Sequence, residues 1–215
     1  MLCAEIDTPD DLTVVSQRVA EVNERTVYMC FSAEYIHSGH MAIINKARRL
    51  GRLVIGVHSD DAVSSFKRYP LIPFAERKAL FENLAGVERV VTQDTLSYAK
   101  NLHALKPDYV VHGNDWCEGF QKPIRQEVCE VLAEYGGKLV EYPYSNSPVY
   151  KEIDANHRAE ASMPDVRRGR LRKLINMKGL VTAMEAHSGI TGLIVENTKV
   201  LQDGKTYQFD AMWIS

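Results

Sequence analysis

Apolar and polar positions along the first two thirds of the chain switch repeatedly between two spacings. Short, nearly continuous apolar runs stand at residues 27–31, 53–58, 89–92, 109–112 and 139–142, each rich in Val, Ile, Leu, Tyr or Phe. Runs of that length and composition predict buried β-strands. Between them, apolar residues recur at helical spacing over about 41–50, 74–84, 96–105 and 122–135, as in Met41, Ile43, Ile44, Ala47 and Leu50. Ahead of the first strand, Thr8 followed by Pro9, Asp10 and Asp11 is a cap, a first-turn proline and early acids, which predicts a helix to about Glu24. Strands alternating with helices imply right-handed βαβ crossovers and an α/β, Rossmann-like parallel sheet with helices on both faces. Such sheets bind ligands beyond the carboxyl ends of their strands, near the point where strand order reverses.

Composition narrows the partners. With 215 residues, 45% of them hydrophobic, and a formal net charge of −2, the chain is long enough for a packed domain plus an extension. The near-neutral balance argues against a nucleic-acid or membrane surface as the main partner. Cys3, Cys30, Cys117 and Cys129 show neither a CxxC pair nor metal-ligand spacing, so free thiols are expected. No basic-then-apolar leader opens the chain and no apolar run approaches the roughly 20 residues of a bilayer span, so a cytoplasmic protein is expected.

Candidate chemistry concentrates at His37-Ser38-Gly39-His40, between the first strand and the helix after it. The first backbone N–H groups of a helix lack helical partners and the dipole there is positive, which favours an anion. His37 and His40 share one helix face, and Gly39 lets an oxygen approach the backbone closely. Taken alone, the four residues also fit an ordinary turn or a metal-binding His pair. Lys67 and Asp115 follow other strand ends, where the same rule places ligand-binding residues.

Ser32 to His40 reads SAEYIHSGH, which resembles the GTFDxxHxGH signature of the cytidylyltransferase-like nucleotidyltransferases. The resemblance runs through residues 26–143 in the family's order. Lys67 stands in the loop after the second strand, Glu76-Arg77-Lys78 resembles the ERK segment, and Gly113-Asn114-Asp115-Trp116 resembles GDDW. It implies transfer of CMP from CTP to a small acid, with His37, His40, Lys67 and Arg77 at the reacting phosphates. Ser32, Ala33, Gly39, Gly113, Asp115 and Trp116 are implied on the nucleotide side, and Mg²⁺ accompanies the triphosphate. Adenylyltransferases share HxGH, so the base is open on these residues.

An attacking phosphate or phosphonate is already largely ionised at neutral pH, so no strong base is required. The task is to position two anions and stabilise charge growing at the α-phosphorus and on departing pyrophosphate. Histidine donors and Lys67 suit it, and Arg77 is expected to fork onto a phosphate or phosphonate. Lys67 with Arg68 also fits a solvated loop pair, and Asp115-Trp116 also fits an Asx turn with a packed indole.

Two departures from the family pattern stand out. Phe31 replaces the glycine of GTFD, and Tyr144-Ser145-Asn146-Ser147-Pro148-Val149-Tyr150 stands where the family has an RTEGIST-like phosphate-binding segment. Either Ser145 and Ser147 substitute, or the site is weakened or altered in substrate. A module that binds nucleotide without turnover is therefore the alternative.

The organisation expected is an N-terminal helical extension at 1–25, the nucleotide-binding domain at 26–143, a linker at 144–170 and a C-terminal α/β extension at 171–215. The linker carries turn signals and a basic cluster at Arg167, Arg168, Arg170, Arg172 and Lys173, which without interleaved aromatics predicts a solvated helix face. The extension, with MEAHSGITG at 184–192 and FDAMWIS at 209–215, resembles the first helix and two strands of phosphoenolpyruvate phosphomutase. Two strands cannot close a barrel, so Glu185, His187, Trp213 and Ser215 are not expected to form a working site, and the ending suggests a shortened version of a longer chain. The association implies a phosphonate acceptor such as 2-aminoethylphosphonate or phosphonoformate; a phosphate monoester is the alternative acid, and a homodimer is among the assemblies expected.

Overall fold

The computed structural model describes residues 9–66, 70–117, 121–143, 152, 163–202 and 205–215. The chain divides into two compact units, residues 1–63 with 70–145, and residues 64–69 with 146–215.

In the first unit, helix α1 (Pro9–Glu24) leads into a five-stranded sheet. Its strands are β1 (Thr26–Phe31), β2 (Arg52–His58), β3 (Val87–Gln93), β4 (Tyr109–Gly113) and β5 (Lys138–Tyr142), in spatial order β3-β2-β1-β4-β5 and parallel throughout. The order reverses between β1 and β4. Helices α2 (Ser38–Ala47) and α4 (Phe74–Glu82) cover one face, where Ile44, Ala47 and Phe81 pack on Val27, Met29, Phe31, Leu53, Ile55 and Val57. Helices α5 (Ala99–Leu105) and α6 (Lys122–Tyr135) cover the other, with Leu102, Val128, Val131 and Leu132 against Tyr28, Val54, Val110 and Trp116. Alternate strand residues thus feed two cores, which is why the strands read as continuous apolar runs.

The expected elements are present with shifted ends. Helix α2 starts at Ser38, three residues early, because His37 supplies the cap. A short helix α3 (Asp60–Ser64), too brief to show periodicity, follows β2. Helix α5 starts late, at Ala99, because residues 93–97 are held in a polar network: Gln93 Nε2 donates to the Thr95 carbonyl at 3.0 Å, and Tyr28 Oη and Asn101 Nδ2 both donate to Gln93 Oε1, at 2.7 and 2.6 Å. Gly56 is required beneath it, since a Cβ there would lie 2.1 Å from Tyr28 Oη.

In the second unit, helix α7 (Pro164–Lys178) begins inside the expected linker, with a proline in its first turn. Strand β6 (Ala183–Ala186), helix α8 (Gly189–Asn197), the antiparallel hairpin β7 (Lys199–Gln202) and β8 (Lys205–Gln208), and strand β9 (Ala211–Ile214) follow. Strands β6 and β9 pair in parallel, so the expected helix, strand and second strand are joined as one βαβ-type unit. Asp210 fastens it, accepting from Lys178 Nζ at 2.5 Å and from the Thr182 backbone N–H at 3.0 Å.

Candidate active site

Among the described residues, β1 and β4 pair only at Val27–Tyr109 and Tyr28–Val110, whereas β1 and β2 stay paired to Phe31–Val57. The carboxyl ends of β1 and β4 are therefore not zipped together, and the reversal of strand order coincides with that break. Ligands of parallel sheets enter at such a point.

The loop after β1 carries Ser32, Ala33 and Glu34 to His37, which caps α2. His37 Nδ1 accepts the Gly39 backbone N–H at 3.1 Å. That bond sets the neutral tautomer with its proton on Nε2, an atom that is itself buried. It also uses one of the backbone donors expected to face an anion. His40 follows one turn later, its ring 3.9 Å from that of His37 and tilted by 31°, with Phe31 edge-on behind it at 5.6 Å. Phe31, which replaces the family glycine, thus packs against the His40 ring and stacks on Phe81 at 5.0 Å. Burial lowers the pKa of His37, so the ring is neutral at neutral pH.

Arg77 stands elsewhere than its expected fork requires. Its side chain is fully buried; Nη2 pairs with Asp60 Oδ1 at 2.7 Å, and Nε donates to the Ile72 carbonyl at 3.0 Å. Nη1 is buried with no hydrogen-bond partner among the described residues. A guanidinium with two nitrogens committed to protein cannot grip a ligand bidentately through that edge. Asp60 also accepts the Phe74 backbone N–H at 3.1 Å and so caps α4 from a distance. Glu34 accepts the Leu71 N–H at 3.1 Å, tying the loop after β1 to the segment ahead of α4. Lys67 and Arg68, like Ser145 and Ser147, lie outside the described residues.

At β4 the turn Asn114–Trp116 follows Gly113. Asn114 and Asp115 are exposed, whereas Trp116 is buried, donating from Nε1 to Glu141 Oε1 at 2.6 Å and stacked on His112 at 3.7 Å with an 8° tilt. The packed-indole alternative is thus the observed one, and Asp115 alone of the pair is presented outward. Glu141 also takes Arg125 Nε and Nη2 at 2.8 and 2.7 Å, a bidentate pair. Those hydrogen bonds, Arg125 first, pull the Glu141 carboxyl down to about 2. His112, shielded by Trp116, is shifted down by burial.

Sequence reasoning missed Asp60, Glu34, Arg125, Glu141 and His112. Asp60 had the signal used for Asp115, an acid just past a strand end. The Glu141 contacts depend on strand register, His112 lying directly across from Glu141, which no motif announces.

Residues 32–168 match the cytidylyltransferase-like family. The chain belongs to that family of nucleotidyltransferases. It is 30% identical over 137 residues to the bifunctional protein HldE of Hahella chejuensis, covering 61% of this chain and 27% of that one. Against the HldE of Alcanivorax borkumensis it is 35% identical over 120 residues, covering 54% and 24%. The chain thus spans about a quarter of the length of these curated relatives. The crystal structure of a lipopolysaccharide core biosynthesis protein from Thermoplasma volcanium GSS1 is similar at 22% identity and a TM-score of 0.49, covering 57% of this chain and 98% of that one.

Proposed function

We propose that this nucleotidyltransferase moves CMP from CTP to a small phosphonate, such as 2-aminoethylphosphonate or phosphonoformate, and releases pyrophosphate. The paired imidazoles at the head of α2, beside the unzipped ends of β1 and β4, carry the reading. An ionised phosphonate oxygen attacks the α-phosphorus; the new P–O bond forms as the bridge to the β-phosphorus breaks, and pyrophosphate departs. His37 Nε2–H and His40 donate to the phosphoryl oxygens where negative charge grows, and no proton need be taken from the acid. Lys67 neutralises the incoming acid. Phe31 and the His37 cap hold the donors in place before reaction, so little reorganisation is needed in the transition state.

Among the described residues no cluster of three or more His, Cys, Asp or Glu can hold a metal ion. The Mg²⁺ of this proposal binds through one or two carboxylates, substrate phosphates and water. Asp115, exposed in the turn after β4, would supply such a carboxylate. When bound, the ion neutralises charge on the triphosphate.

The phosphonate rests on the resemblance of residues 171–215 to the start of phosphoenolpyruvate phosphomutase. Pyrophosphate release is measured with CTP or ATP and a panel of phosphonates and phosphate monoesters. CTP with a phosphonate is expected to be the best pair, and His40→Ala to lower kcat about a hundredfold, the scale for losing one transition-state donor. Preference for a phosphate monoester overturns the acceptor. CTP binding without release for every acid overturns catalysis in favour of a binding module.

A further inference from the structure

Trp116 is buried and has no face open to a ligand, yet it ends the turn that holds exposed Asn114 and Asp115 just past the carboxyl end of β4. What holds the indole therefore sets where that turn stands. We propose that Glu141, clamped by Arg125, is the positioning residue that holds the Gly113–Trp116 turn in its nucleotide-binding geometry. The inference rests on the nucleotidyltransferase reading above.

The chain of contacts is short. Glu141 lies across from His112 on the neighbouring strand, with both side chains on the α5–α6 face of the sheet. One carboxylate oxygen accepts both the indole N–H at 2.6 Å and Arg125 Nε at 2.8 Å; the other accepts Arg125 Nη2 at 2.7 Å. The bidentate fork fixes the plane of the carboxylate, so Oε1 meets the indole N–H in one orientation. The imidazole of His112, whose Nδ1 lies 2.8 Å from the Gly113 carbonyl, closes the opposite side of the indole by stacking. Neutral His112 donates that bond from Nδ1–H, so strand end, indole and turn form one unit with Glu141 at its base. In the proposed reaction the α2 histidines serve the phosphates. The turn instead serves the nucleoside half of the substrate, through groups that bind ground state and transition state alike.

That division gives a signature that a merely structural brace would not. Loss of uniform binding raises KM and leaves kcat. In CTP-dependent pyrophosphate release, Glu141→Leu is expected to raise KM for CTP by about tenfold or more, the scale of a displaced binding group, with kcat per folded molecule within about threefold. Glu141→Gln, which can still accept the indole N–H, is expected to restore most of that loss. Arg125→Gln leaves the indole its acceptor while loosening the carboxylate, and is expected to raise KM by a smaller factor; it carries the test if Glu141→Leu does not fold. Unchanged KM in Glu141→Leu, with any fall in apparent kcat matched by the folded fraction, or unchanged KM in Arg125→Gln if that variant alone folds, overturns the inference and spares the reading. A wild-type protein that neither binds nor consumes CTP overturns both.

Discussion

Two imidazole rings 3.9 Å apart at the head of α2 would repel if both were charged, and burial already disfavours charge on His37. The sign of the consequence follows from linkage. The unfolded chain takes up this proton near the ordinary value of 6.5, the folded chain only at lower pH. Stability from His37 is therefore present above the ordinary value and declines as pH falls below it. His37→Asn, which keeps a capping acceptor, is expected to show a shallower loss of stability between about pH 7 and 5 in urea titrations. His112 shifts in the same direction, so part of the slope remains. At the Asp60–Arg77 pair the balance is different, because removing one partner leaves a buried charge alone. Asp60→Ala is expected to cost about 3–5 kcal/mol in urea unfolding, and Asp60→Ala with Arg77→Met to recover part of it. HxGH was legible from the sequence because its spacing is local; the burial of Arg77 was not, because Asp60 lies 17 residues away along the chain.

Element ends, more than element identities, carry the new information. Apolar runs and helical spacing located all five strands and four of the five helices between them, since each of those buries a periodic face. The ends obey other groups. His37 pulls α2 forward by occupying the cap, and the Tyr28–Gln93–Asn101 network delays α5. That network also makes Gly56 a packing position: Gly56→Ala drives a Cβ into the Tyr28 hydroxyl and is expected to destabilise by about 1–3 kcal/mol, read from the shift of the chemical unfolding midpoint. Asp115 and Trp116 are adjacent in sequence, but one is exposed and the other buried, because a turn sends successive side chains to opposite sides.

Across the whole molecule, the two units differ in how much core they own. The first packs both faces of a five-stranded sheet. The second leaves Ile190 at 73%, Trp213 at 68% and Ile214 at 80% exposed around a two-stranded parallel sheet, with Ala186 and Val195 the buried apolar residues among those described. Parallel strands are ordinarily covered on both faces. Two thermal transitions are therefore expected, the lower belonging to residues 146–215. CTP at about a hundred times its Kd is expected to stabilise the upper transition by about 2.7 kcal/mol and leave the lower one unmoved. Calorimetry with and without CTP and Mg²⁺ checks both statements, and a shift confined to the lower transition contradicts the assignment of the nucleotide site to the first unit.

By itself, the order of apolar runs determined a parallel α/β sheet, and the HSGH spacing determined two histidines on one face at a helix start, since both depend on backbone periodicities a few residues long. The tertiary structure decided what needs distant residues in contact. It unzipped β1 from β4 beyond Tyr28, buried Arg77 against Asp60, and turned Trp116 inward onto Glu141 and His112. Strand order and register set those distances, and neither is written in any local stretch of the chain.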